Sequence, residues 1–341
     1  MAADTLAKVG GFLATYTGLK AACNVVRTIG PFLLSQWEEA SKAYTEHKAR
    51  LALVETGKEL LSKELADLAE VKKGLLEDYV GSTPRQRIRI EQDLDFVEGR
   101  IRQQNIGLQA LANLKVTSDC EARQDAPPAG TEEPTISPHW MDKFNELARA
   151  RNEDWRASLL ARALAVEAAA PGKVSPRALW LLGTLEEKLF RDFQAMLDVC
   201  VELAGELLIP RVVDFGSQKI SAGPEGRQAA IGELLFRLTE IGILGDHLTS
   251  QHSIQKGSRV LARYDSEHFI IEVSKGDLVT CGILLTSLGS SVASFCERTP
   301  NAHGKEIFLA WIQSLDKTSL TVTPVEPAGQ DGYKILGPSL V

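Results

Sequence analysis

A 3–4 spacing of apolar residues, sustained over two long stretches and broken once between them, constrains this chain more than any other feature. The first stretch picks out Leu51, Val54, Lys58, Leu61, Leu65, Leu68, Lys72, Leu75 and Tyr79. The second picks out Ile90, Leu94, Val97, Ile101, Gln104, Leu108, Leu111 and Lys115. A stripe this narrow is the seam of a coiled coil. Between the stretches stands Gly81-Ser-Thr-Pro84, and proline disfavours helix in the residue before it. The two stretches read as the arms of one antiparallel hairpin over residues 36–116. Residues 36–115 hold 14 acidic and 13 basic side chains, interspersed, which is a solvated helix surface and not a polyanion-binding face. Two lysines on the first seam and Gln104 on the second weaken an isolated hairpin, so further packing partners are expected. Leu61, Leu65, Leu68, Leu75, Leu94, Val97 and Ile101 are the expected seam of a homo-oligomer.

Residues 1–35 differ from the rest. Val9 to Val26 is an 18-residue run with Lys20 as its one charge, and Ile29-Gly-Pro-Phe-Leu-Leu34 follows Arg27. A spanning helix wants about 20 predominantly apolar residues, and the Gly, Thr and Asn content here suits it poorly. Two readings remain. One is a glycine-containing helical segment packed on its own bundle or on a sister subunit. The other is a segment lying at a membrane surface, with Phe12, Leu13, Leu19, Phe32 and Leu33 as its lipid or partner contacts.

Residues 117–137 are acidic, rich in proline and without apolar period. They form a linker, because such a segment cannot bury enough surface to offset its ordering entropy. A helical domain over 138–225 is expected to follow. Ser137-Pro138 opens its first helix, Asn152 caps the next, and Thr184 with Glu187 forms a capping box for another. Over 226–316 a helix from Ile231, strands at Val260–Tyr264 and Phe269–Val273, and a helix near Leu284–Phe295 suggest a winged-helix-like α+β module. Residues 317–341 form a tail of loop or terminal strand. The expected fold class is mainly α, with a long hairpin, a compact helical domain and this small C-terminal module.

Trp140, Phe144, Trp155, Leu159-Leu160-Ala161, Glu167, Pro171-Gly172, Ser175, Arg177 and Leu179, with Gln104-Asn105 before them and Phe190 and Phe193 after, carry a resemblance. The chain resembles a bacterial family known only as a domain of unknown function. The similarity covers most of residues 85–300, is tightest from Trp140 to Phe193, and departs from the pattern at Pro176 and Ala178. It implies an architecture and no catalytic residues. The placement of such proteins near stress and phage-defence loci implies an effector role by association alone.

The chain has no phosphate loop, nucleophile elbow or H-E-x-x-H helix. Asp246, His247 and His252 are spaced as a polar loop and not as metal ligands, and Cys281, Cys296 and His303 lie too far apart for a zinc signature. The odd count of five cysteines, with no C-x-x-C pair, reads as thiols in a reducing cytosol. Glu167, on an apolar stripe ahead of Pro171-Gly172, is expected to bond a neighbouring cap or pair with Arg177. The net charge is −7, and residues 230–315 hold seven basic against nine acidic residues, against the basic face that duplex binding needs. No cofactor, metal or catalytic centre is expected. The expectation is a non-enzymatic, cytoplasmic, self-assembling interaction or effector protein, acting at the inner face of the membrane in bacterial stress or phage defence. Its rival is a DNA-associated regulator using the winged-helix-like module.

Overall fold

The computed structural model describes residues 24–25, 28, 47–114, 135–210, 218–222, 227–245, 251–275, 278–315, 320–327 and 333–336. The chain is mostly helical and divides into two compact units, Met1–Thr184 and Leu185–Val341.

The first unit is helical. Helices α1 (His47–Gly81) and α2 (Pro84–Asn113) form the hairpin, followed by α3 (Pro138–Ala150), α4 (Asp154–Ala169) and α5 (Pro176–Thr184). The break falls where the sequence places it. Pro84 occupies the first turn of α2, where its missing N–H costs nothing. Gln86 Oε1 reaches back to accept from the Thr83 N–H at 2.9 Å and the Thr83 hydroxyl at 2.7 Å. The seam faces the chain's own second arm: Leu61 and Val97 are buried, while Leu65, Leu68, Leu75, Leu94 and Ile101 are half-buried. Only the base of the hairpin enters a core, with Ile106, Ala110 and Leu111 buried alongside Trp140, Phe144, Leu160, Leu164, Leu179 and Leu182. From Ser62 to Phe96 no residue is buried.

The second unit begins with α6 (Glu187–Val199). It continues through β1 (Val201–Leu203), β2 (Glu206–Pro210), β3 (Lys219–Ala222), β4 (Arg227–Ala230), α7 (Ile231–Glu240), β5 (Gln251–Ile254), β6 (Arg259–Tyr264), β7 (Glu267–Val273) and β8 (Leu278–Leu284). It ends with α8 (Ser287–Ala293), α9 (Ala302–Ser314), β9 (Leu320–Pro327) and β10 (Tyr333–Ile335). Eight strands form one antiparallel sheet in the order β10-β9-β7-β6-β1-β2-β8-β5, and β3 pairs with β4 as a separate ribbon. Alternate residues along β6, β7 and β9 (Ala262 and Tyr264; Phe269, Ile271 and Val273; Leu320 and Val322) point to one core with Phe308, Trp311 and Ile312 of α9, as the period of two requires.

This sheet corrects the expectation of a winged-helix-like module. The helix at Ile231 and the β6–β7 hairpin are present, but both belong to a unit that starts at residue 185. The missed strands explain the difference. β1 and β2 join through Ala204-Gly205, both at positive φ (53° and 86°), the two-residue hairpin turn usually signalled by Asn-Gly. Ala-Gly hid it inside a helix-like apolar run. The expected 225/226 boundary falls inside the β3–β4 ribbon, where Ser221 pairs with Gln228. The expected tail supplies β9, whose Val322 lies opposite Ile271 of β7. Smaller shifts occur at helix starts: Glu153 rather than Asn152 is the cap of α4, and α6 starts after Glu186. Residues 117–134 of the expected linker lie outside the described residues.

Candidate functional site

Four of the signature residues, Trp140, Glu167, Gly172 and Ser175, meet around one loop. Glu167, near the end of α4, is buried. Its Oε1 accepts from the Gly172 N–H at 2.7 Å and its Oε2 from the Val174 N–H at 2.8 Å. Gly172 needs its glycine, at φ 88°, to turn the chain back toward the carboxylate. Trp140 Nε1 donates to the Val174 carbonyl at 2.8 Å and stacks on Phe144 with ring centroids 5.2 Å apart. Ser175 Oγ then accepts from the Ala178 N–H at 3.2 Å, capping α5. Burial pushes the Glu167 carboxyl above its ordinary range, against the pull of the Gly172, Val174 and Lys173 amides. Arg177 is exposed, and the partners of Glu167 are loop amides rather than this cation. Pro171 sits half-buried at the start of the loop, and Trp155 lies under the guanidinium of Arg156, 4.5 Å from its ring centroid. With both oxygens committed to backbone amides, Glu167 latches a loop, which is not the geometry of a proton donor to substrate.

A second polar cluster ties the hairpin base to the bundle. Arg100 donates to Glu64 at 2.5 Å and to Gln103 at 2.7 Å. Gln103 Nε2 donates to Asn145 Oδ1 at 2.6 Å, and Arg149 Nε donates to Gln103 Oε1 at 3.1 Å. Asn145 Nδ2 in turn donates to the Thr28 carbonyl at 3.2 Å. Asn24 Nδ2 donates to the Ala168 carbonyl at 3.0 Å, and Asn24, Val25 and Thr28 are all buried. This helical turn of the N-terminal segment is therefore packed within the first unit. Phe12, Leu13, Leu19, Phe32 and Leu33 lie outside the described residues.

The hairpin above this base is the remaining feature. Val71, Leu76, Val80, Ile88 and Phe96 are exposed, half of the large exposed hydrophobics among the described residues. They lie off the 3–4 seam, so the seam pattern does not include them. The available signal was apolar residues outside the seam register.

Among the described residues no group of three His, Cys, Asp or Glu side chains could hold a metal, and no helix is long and apolar enough to cross a membrane. Asp246 and His247 lie outside the described residues, as do the side chains of His252 and Cys281. Cys200 is buried and Cys296 half-buried, and neither is in a disulfide. His303 faces Glu306 at 3.7 Å.

These features define a class: a helical bundle bearing a long hairpin, followed by a unit built on a large antiparallel sheet. Residues 98–307 match the family described as "Protein of unknown function (DUF2806)", and the chain belongs to that family. The match begins at Glu98, so most of the hairpin precedes it. No curated protein and no solved structure matches the chain.

Proposed function

We propose that this is a non-enzymatic, self-assembling interaction protein whose hairpin is the assembly element. One observation carries the reading. Thirty-five consecutive residues, Ser62–Phe96, contain no buried side chain yet bear five large exposed hydrophobics. Two helices without a third element are a marginal structure, and apolar surface on both arms is what a partner would cover. Light scattering of the intact chain at micromolar concentration tests this: a mass at a multiple of 37.2 kDa supports it, and a clean monomer overturns it.

Action at a membrane, in a bacterial stress or defence setting, is the second part of the proposal and depends on assembly. Three cations, Lys8, Lys20 and Arg27, accompany the apolar N-terminal runs on a chain of net charge −7. Each would gain about 1 kcal/mol near an anionic surface, and several copies together would bind far better than one. Because Asn24, Val25 and Thr28 are buried, lipid contact falls to residues outside that turn. Deleting 1–35 would damage the bundle. Serine at Phe12, Leu13, Leu19, Phe32 and Leu33 is the better variant, and equal flotation of the two proteins with anionic liposomes overturns the membrane reading.

A further inference from the structure

Resting on the self-assembly reading, we infer that two copies associate face to face with their hairpins parallel, through the flank that carries Val71 and Phe96. The cross-arm contacts fix the levels along the hairpin. They are Glu64 with Arg100 at 2.5 Å, Lys72 with Glu98 at 2.8 Å, and Tyr79 with Glu91 at 2.9 Å. By that register residue 71 stands level with residue 96, and residue 78 level with residue 89.

Helix periodicity then sorts the exposed residues by side. Val71 is seven residues beyond Glu64 and Phe96 four before Arg100, so both share the flank of that ion pair. Val71 is 50% and Phe96 62% exposed. On the same flank α1 presents Asp67 and Asp78, while α2 presents Arg85, Arg89 and Asp93, all exposed. The described ion pairs of the hairpin use Glu64, Lys72, Glu98, Arg100 and Arg102, and these five stand outside them. The flank is thus acidic along α1, net basic along α2 and apolar at its centre.

That pattern is complementary to itself in one orientation. A two-fold axis running along the arms lays α1 of one copy over α2 of the other at the same level. It sets Val71 on the partner copy's Phe96, and Asp78 on its Arg89, each contact made twice as an isologous interface requires. A two-fold axis across the arms would instead lay α1 on α1 and bring the aspartates together, which like-charge repulsion opposes. The hairpin from Ser62 to Gly81 is about 30 Å long at 1.5 Å per residue. Two helix widths make that about 600 Å² per copy, at the low end for a specific dimer, so micromolar rather than nanomolar affinity is expected.

Sedimentation equilibrium of the full chain tests the orientation by charge exchange. Asp78→Arg and Arg89→Asp should each raise the dimer dissociation constant by on the order of tenfold, since rim charges act modestly. The double variant should restore it, and Phe96→Glu should abolish the dimer. Wild-type protein that stays monomeric overturns both this inference and the self-assembly reading. A dimer that survives Phe96→Glu overturns the assigned face and leaves self-assembly standing. Loss in both single variants without recovery in the double overturns the parallel arrangement.

Discussion

Gly304, in the first turn of α9, lies so close beneath Tyr264 of β6 that a Cβ built on it would sit 2.0 Å from the phenol oxygen and 2.9 Å from the Asp198 carbonyl. That oxygen is fully engaged: it donates to the Asp198 carbonyl at 2.6 Å and accepts from the Asn301 N–H at 2.9 Å. One tyrosine thereby joins the end of α6, the start of α9 and the middle of the sheet. Gly304→Ala should cost about 1–3 kcal/mol by overpacking, and Tyr264→Phe about 1–2 kcal/mol by leaving polar backbone unpaired. The two should not add fully, because removing the hydroxyl removes the nearest of the atoms that the new methyl group strikes, while the ring carbon at 2.5 Å and the Asp198 carbonyl at 2.9 Å remain. Urea midpoints of the two single variants and the double check this, and strict additivity would contradict the contact.

The loop latch makes a prediction with a pH sign. Burial raises the Glu167 carboxyl above its unfolded value, so the folded state holds the proton more tightly. For this group stability is fully present below the unfolded pKa and is lost as pH rises through the folded pKa. Glu167→Gln removes the titration, so its stability relative to wild type should improve from pH 4 to pH 8. At every pH it should remain less stable than wild type by about 1–2 kcal/mol, because its NH2 group cannot accept from the Gly172 or Val174 amide. Denaturant midpoints across that range are the measurement, and a constant difference between the two proteins would count against the assignment.

Cys200 ends α6 with its thiol donating to the Met196 carbonyl at 3.2 Å. Burial pushes this thiol up to about 12, and alkylation requires the thiolate. Folded protein at pH 8 should leave Cys200 unmodified by iodoacetamide after an hour, while protein in urea should be labelled fully. Peptide mass spectrometry reads the difference directly.

The sequence made the hairpin, its break and the helices to Thr184 legible because their signals are local. Thr83-Pro84-x-Gln86 and Ser137-Pro138 are cap chemistry, and the seam positions Leu61 to Ile101 follow one period. The loop partners of Glu167 are partly legible, since an acid in an apolar stripe before Pro-Gly needs nearby donors; the exposure of Arg177 removes it as the alternative partner. The sheet was illegible for a different reason. Its order places β1 beside β6 and β9 beside β7, pairings as distant as Glu202 with Arg263 and Val273 with Leu320, which leave no mark on any short window. Strands such as Val201-Glu-Leu203 and Glu206-Leu-Leu-Ile-Pro210 are too short to separate from helix by periodicity alone. The exposed residues of the hairpin were hidden differently again, because a seam pattern says what an arm buries against itself and nothing of what lies beside it.

Asn145 connects three segments of the first unit and gives the last prediction. Its oxygen accepts from Gln103 of the hairpin and its nitrogen donates to Thr28 of the N-terminal turn, while its own backbone belongs to α3. Gln103 is fully buried, so Asn145→Ala strands an amide with no water to replace the lost acceptor, at a cost of about 1–3 kcal/mol. The effect should be local as well as global. With the Thr28 carbonyl released, hydrogen exchange at residues 24–28 should accelerate more than at Phe144 or Leu160, whose packing does not depend on the amide. Asn145→Asp keeps the oxygen that receives Gln103 but loses the donor to Thr28. It should therefore preserve protection near Gln103 while still loosening the N-terminal turn. Equal acceleration across the whole bundle in both variants would mean that Asn145 supports α3 alone and does not link the three segments.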